Sequence, residues 1–256
     1  MGKNKLKKFA EMKGFRCVVE SPRETLIGNT FEMKGKWNEN FFRSNSPLIL
    51  ELGCGKGEYT VGLARKYPDN NYIGIDIKGA RIYSGAKEVE TENIPNAGFL
   101  RTTIDLLPFI FEKDEVDELW ITFPDPQMKK VNKRLTGTRF LQSYRSFMRT
   151  GGIVNLKTDS PFLYEYTRRL AEENGLKILR SSTDIYGEEG FEDVTEIKTH
   201  YECQWLSRGK KIKYLSFVIG DGTLKEPNVE DLEKDDYTAL PRFNSEEYLH
   251  KIKTKS

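Results

Sequence analysis

The run Leu48-Ile49-Leu50-Glu51-Leu52-Gly53-Cys54-Gly55-Lys56-Gly57-Glu58 limits the possible folds more than any other stretch. A short apolar segment ends in a carboxylate, and three glycines follow at alternate positions. Bounded by Pro47 and the glycines, the apolar residues predict a buried strand entering a tight turn. A helical pattern over 59–67 comes next, so the unit reads strand, glycine loop, helix. Glycine is required where the backbone takes positive φ or lies against a ligand with no Cβ between.

The spacing separates nucleotide ligands. A dinucleotide loop needs G-x-G-x-x-G, and its last glycine would fall on Glu58. A phosphate loop needs Ser or Thr after Gly-Lys, whereas Gly57 follows Lys56. The remaining pattern, E-x-G-x-G-x-G, resembles the nucleotide loop of class I S-adenosylmethionine (SAM)-dependent methyltransferases. SAM carries a sulfonium and an ammonium instead of phosphates, so a carboxylate such as Glu51 suits it, directly or through water. A glycine-rich turn without a ligand is the plainer reading.

From residue 47 onward, strand and helix patterns alternate, which implies parallel strands with crossover helices. Strands are expected at 48–52, 71–76, 98–101, 117–122, 152–156, 176–180 and 213–219. Helices are expected at 59–67, 78–91, 140–149 and 161–174, and a long loop at 181–208. Residues 1–46 read as a basic arm and packing segment, 47–220 as the main α/β domain, and 221–256 as a charged surface tail or docking segment.

Several carboxylates end strands. Asp76 closes the second strand, where an acidic residue takes ribose hydroxyls in nucleotide folds; a helix-capping Asp is the alternative. Asp105 follows the third strand, placed for an adenine amino group or simply for a turn. Phe123-Pro124-Asp125-Pro126 follows the fourth strand. Ligands of open α/β sheets bind beyond the carboxyl ends of strands, so Asp125 is aimed where substrate meets cofactor, with prolines restricting the backbone on either side. A plain proline turn explains the same residues without a ligand. Lys129, Lys130, Lys133, Arg134 and Arg139 come next, a basic loop suited to an anionic substrate or merely to solvent.

The formal net charge of +2 does not announce a nucleic-acid protein, but basic residues cluster near the N-terminus, at 129–139 and at 208–213. Three cysteines without a C-x-x-C pair, and two histidines, argue against disulfides and a metal site. No long apolar span or secretory leader is expected, and the reading is a cytoplasmic protein without a membrane role.

In order along the chain stand Glu51–Gly57, Gly74-Ile75-Asp76, Phe123–Pro126, Lys157-Thr158-Asp159 and Thr199-His200-Tyr201-Glu202. With these residues the chain resembles the bacterial tRNA (guanine-N(7)-)-methyltransferase family, over about residues 45–220. The resemblance implies a Rossmann-like class I methyltransferase fold with a seven-stranded, mostly parallel sheet and helices on both faces. It implies methyl transfer from SAM to N(7) of a guanine in the variable loop of tRNA. Glu51, Gly53, Gly55, Gly57, Asp76, Asp105 and Asp125 are then the cofactor set, and Asp125 the catalytic residue. Lys129, Lys130, Lys133, Arg134, Asp159, Thr199, Tyr201 and Glu202 hold the substrate, with 130–134 on RNA. Gln127-Met128 departs from the family's Trp-Pro, and the acidic extension is outside the familiar pattern. Alternatives are methyl transfer to a small molecule or protein, and a non-catalytic RNA-binding partner. The sequence leaves monomer and homodimer equally open.

Overall fold

The computed structural model describes residues 3–26 and 30–236; the end of the expected C-terminal extension, 237–256, lies outside them. Among the described residues eight strands form one sheet: β1 Val18–Glu20, β2 Leu48–Leu52, β3 Asn71–Asp76, β4 Ala97–Arg101, β5 Val116–Thr122, β6 Met148–Thr158, β7 Ile178–Ser182 and β8 Lys213–Val218. Their order is β1-β4-β3-β2-β5-β6-β8-β7. The six strands from β1 to β6 pair in parallel, and β8 inserts antiparallel between β6 and β7.

The seven expected strands are present, and an eighth, β1, joins the edge beside β4. Strand order reverses between β2 and β5, which places a crevice beyond their carboxyl ends. Register pairs Glu51 with Trp120 and Leu52 with Ile121, so the glycine turn and the Phe123–Pro126 turn leave the sheet side by side.

The strand period of two divides the core. Leu48, Leu50 and Leu52 face one layer with Leu163, Tyr166 and Leu170; Ile49 faces the other with Tyr59, Leu63, Ile82 and Val89. Helices α1 Lys3–Met12, α3 Glu58–Lys66, α4 Gly79–Glu92, α8 Glu192–Thr195 and α9 His200–Ser207 lie on the second side, and α5 Leu107–Ile110, α6 Thr138–Tyr144 and α7 Pro161–Glu173 on the first. A short α2 spans Arg23–Leu26. In the following segment Trp37 is fully buried, stacked on Phe111 at 5.3 Å, with its indole N–H donating to the Ile110 carbonyl. Among the described residues no helix is long and apolar enough to cross a membrane.

The expected loop over 181–208 is corrected, since α8 and α9 occupy its second half. Thr199 caps α9 through its side chain, and Glu202 returns the bond to the Thr199 N–H. This is the T-x-x-E capping box, which starts a helix without needing a long apolar stripe. Residues 221–236 run back over α7: Asn174 holds both the N–H and the carbonyl of Lys225, and Arg169 grips Asp231 through two bonds of 2.7 Å.

Candidate functional site

A cleft of about 560 Å³ opens at the reversal of strand order, between the glycine turn, the Phe123–Pro126 turn, the end of β6 and the start of α9. Gly53, Gly55 and Gly57 all take positive φ, from 57° to 78°. Ile75's carbonyl fixes the turn by accepting from Gly53 and Cys54 N–H at 2.8 and 2.9 Å. A Cβ on Gly53 or Gly55 would meet nothing within 4 Å, so both present bare backbone to open space. Gly57 differs: its Cβ would lie 2.5 Å from the Phe99 ring. Packing, in addition to its φ, sets that glycine.

Glu51 lies under the turn. Its carboxylate accepts from Thr60 N–H at 2.9 Å, from the Thr60 hydroxyl, and from the Thr122 hydroxyl at 2.8 Å. Burial pushes its pKa up to about 7 against the pull of these donors. A cation in the cleft above it would favour the charged form. Asp76 joins the turn to β3, accepting from Gly55 N–H at 3.1 Å and Lys78 N–H at 2.7 Å.

Asp125 projects, exposed, from the opposite wall. Its carboxylate accepts from Gln127 N–H at 3.0 Å, and it is bracketed by Phe123 and Gln127, both at positive φ near 50°. Non-glycine residues in that region are costly and persist only when their surroundings impose them. The imposing bonds here are Phe123 N–H to the Lys157 carbonyl and the Arg134 guanidinium to the Gln127 and Met128 carbonyls. Asp125 is held on a rigid turn.

Asp159 follows β6 into the same cleft, and its carbonyl accepts from Lys213 at 3.3 Å. Thr199 and Tyr201 complete that side, with Tyr201 44 % exposed. Glu58, the first residue of α3, accepts from His200 N–H at 2.8 Å and ties α9 to the glycine turn.

Glu51, Gly53, Gly55, Asp125, Asp159, Thr199 and Tyr201 thus line one cleft, while Gly57 and Asp76 support it from behind. Asp105 and Lys133 line a neighbouring cleft of about 760 Å³ with Ile77, Arg101, Phe109 and Arg139. There Asp105 is ion-paired to Arg139. The two clefts meet at the end of β3, where Ile77 lines one and Lys78 the other. Lys129 and Lys130 are exposed beyond Asp125.

Two expected substrate contacts are corrected. Arg134 is buried, with its guanidinium 4.9 Å from the Phe162 ring and 4.4 Å from the Tyr166 ring, and serves the loop carbonyls instead of RNA. Glu202 is also fully buried. It pairs with Lys157 at 2.7 Å, accepts from the Tyr186 hydroxyl at 2.8 Å and closes the capping box, so it positions α9 and does not reach the cleft. Lys157 further donates to the Val194 and Ile197 carbonyls at 2.7 and 3.2 Å. Thr60 and Thr122, which bond Glu51, and Lys157, which pairs with Glu202, are partners that the pattern of strand-end carboxylates passed over. Only the T-x-x-E spacing hinted at the buried role of Glu202.

A family model described as "Putative methyltransferase" matches residues 45–215. The chain is 49% identical over 243 residues to the tRNA (guanine-N(7)-)-methyltransferase of Bacteroides fragilis (strain YCH46), covering 94% of this chain and 96% of that one. It is 53% identical over 215 residues to the protein of that name from Porphyromonas gingivalis, covering 83% and 88%. The Bacillus subtilis protein of that name is 35% identical, covering 73% and 86%. Among solved structures, the 16S rRNA methyltransferase KamB matches with a TM-score of 0.56 at 16% identity, over 73% of this chain and 95% of that one, a likeness of fold.

Proposed function

Since the chain belongs to the tRNA (guanine-N(7)-)-methyltransferase family, we propose that it methylates N(7) of a guanine in the variable loop of tRNA, with SAM as the donor. The residues present fit that donor. Two turn glycines offer bare backbone to open space, and the buried Glu51 carboxylate lies beneath them, where a cationic ligand would favour its charged form. When bound there, SAM supplies an electrophilic methyl group on a sulfonium.

Guanine N(7) carries an in-plane lone pair at neutral pH, so no base is needed to make it a nucleophile. The protein's task is orientation, which contributes at most about 7–11 kcal/mol to such a reaction. Asp125 and Asp159, on the turns that follow the paired strands β5 and β6, accept hydrogen bonds from the N–H edge of guanine and fix the ring. Their negative charge also favours the positive charge that the purine acquires as it is methylated. Glu51, Gly53 and Gly55 hold the donor, with Asp76 at its ribose and Asp105 in the adjoining cleft. Lys129, Lys130 and Lys133 meet tRNA phosphates.

The observation that carries this reading is Asp125, exposed on a rigid turn across from two open glycines. The test is Asp125→Ala with labelled SAM and tRNA. Methyl transfer is expected to fall by about two orders of magnitude or more, the scale of removing an orienting group, while SAM affinity stays within a few-fold. Equal loss of SAM binding would reassign Asp125 to the donor.

A further inference from the structure

The segment after β8 crosses the whole length of α7. It leaves Asn174 at the C-terminal end, bonds Tyr166 through Glu226 at 2.6 Å and Arg169 through Asp231, and reaches the N-terminal end at Asp235. That path covers roughly 18 Å of helix axis. Leu224, Val229 and Leu232 pack against the core on the way. The segment is a fitted strap, and its last contacts fall between the two turns that bear the guanine-facing carboxylates.

At that point Asp235 bonds Phe162, Ser160 and Met128. One carboxylate oxygen accepts from Phe162 N–H at 3.1 Å and the other from the Ser160 hydroxyl, while the backbone N–H donates to Met128 Sδ at 3.1 Å. Ser160 follows Asp159 directly and caps α7 by accepting from Leu163 N–H at 2.8 Å. Met128 lies three residues beyond Asp125, and its carbonyl accepts from Arg134 at 2.9 Å. One residue therefore touches both turns. A carboxylate at the first turn of a helix is favourable in itself, but the backbone N–H of the same residue reaches outside that helix to Met128.

We propose that Asp235 is a positioning residue, which holds the Asp125 turn and the Asp159 turn at a fixed separation through Met128, Ser160 and Phe162. The assignment rests on the functional reading above. It also gives Met128, which stands where the resemblance leads one to expect proline, a partner from the acidic extension.

The test uses the full chain with Asp235→Ala, Asp235→Asn and Met128→Leu. For Asp235→Ala, kcat/KM for tRNA is expected to fall about tenfold, since small misplacements of an orienting group carry penalties of that order, with SAM affinity within twofold. Asp235→Asn keeps a side-chain oxygen for Phe162 N–H and is expected to recover most of the loss. Asp235→Ala keeps the backbone N–H that donates to Met128 but frees that residue from the start of α7, so adding Met128→Leu to it is expected to cost little more. Hydrogen exchange over 123–130 should quicken in Asp235→Ala. Unchanged exchange there, unchanged tRNA kinetics, or an Asn variant as impaired as Ala would overturn the assignment. A wild-type chain inactive on tRNA, with exchange still quickened in the Ala variant, would instead refute the functional reading and leave the positioning role standing.

Discussion

Replacing Glu202 by glutamine keeps the volume and removes a charge. Its single amide oxygen can accept from the Tyr186 hydroxyl or from the Thr199 N–H, which Glu202 serves with different oxygens, so one of these bonds goes with the charge. The larger loss is the anion beside the Lys157 ammonium, in a pair with both side chains fully buried and 2.7 Å apart. Removing one member of a buried ion pair costs about 3–5 kcal/mol, because the other charge is left in low dielectric. Two carbonyls, of Val194 and Ile197, stay bonded to Lys157 and place the loss at the lower end of that range. For a protein of this size about 3 kcal/mol lowers Tm by roughly 6–12 °C. The loss also has a pH signature. Burial holds the Lys157 pKa below its ordinary value, and the Glu202 carboxylate opposes that shift. Without the carboxylate the folded-state pKa drops further below that of the unfolded chain. The penalty for a depressed base is full below the folded pKa and vanishes above the unfolded one. The Tm deficit of Glu202→Gln should therefore shrink as pH rises through the variant's folded-state pKa towards that of the wild-type chain, whose Lys157 is less depressed, as measured by circular dichroism on both chains. A deficit under about 2 °C at neutral pH, or one that does not change with pH, would refute the reasoning.

Single neutralisation of Lys129, Lys130 or Lys133 should flatten the salt dependence of tRNA binding by about one slope unit for each phosphate no longer neutralised. Arg134→Met should leave the slope untouched and lower Tm instead, because its guanidinium is engaged by ring faces and loop carbonyls; salt titrations of tRNA affinity and thermal melts separate the two behaviours. Gly57→Ala should destabilise the fold more than Gly53→Ala, since both are strained by positive φ but only the first drives a methyl into the Phe99 ring. Gly53→Ala should show mainly as weaker SAM binding by calorimetry, and a larger Tm loss for Gly53 than for Gly57 would refute that ordering.

Strands β2, β3, β5 and β6 were legible because each carries its own apolar run and is followed by turn chemistry and then a helical pattern, and β4 was legible from its own short run. The place of β8 was not, since insertion between β6 and β7 depends on pairing across distant segments and leaves no local mark. At three residues β1 was too short to stand out from an irregular arm. The cleft was legible where a strand ends in a carboxylate or a glycine, as at Glu51, Gly53 and Asp125. It was illegible where role depends on burial: Arg134 reads as one more basic residue until Phe162 and Tyr166 close over it. Glu202 likewise reads as a surface acid until Lys157 arrives from β6. Helix α9 escaped notice because its residues form no sustained apolar stripe and its start is written in two capping side chains.

Likeness to other chains begins at residue 45 in the family match, yet the larger cleft does not stop there. Its outer wall is Glu20, Ser21, Pro22 and Arg23, delivered by β1. That wall is bolted to β4 by Glu20 with Arg101 and by the Thr102 hydroxyl to the Ser21 carbonyl at 2.9 Å. A polypeptide trimmed to 45–215 would keep Glu51, the turn glycines and Asp125 and still present a basin open on one side. A fragment that keeps that basin walled must therefore begin ahead of β1.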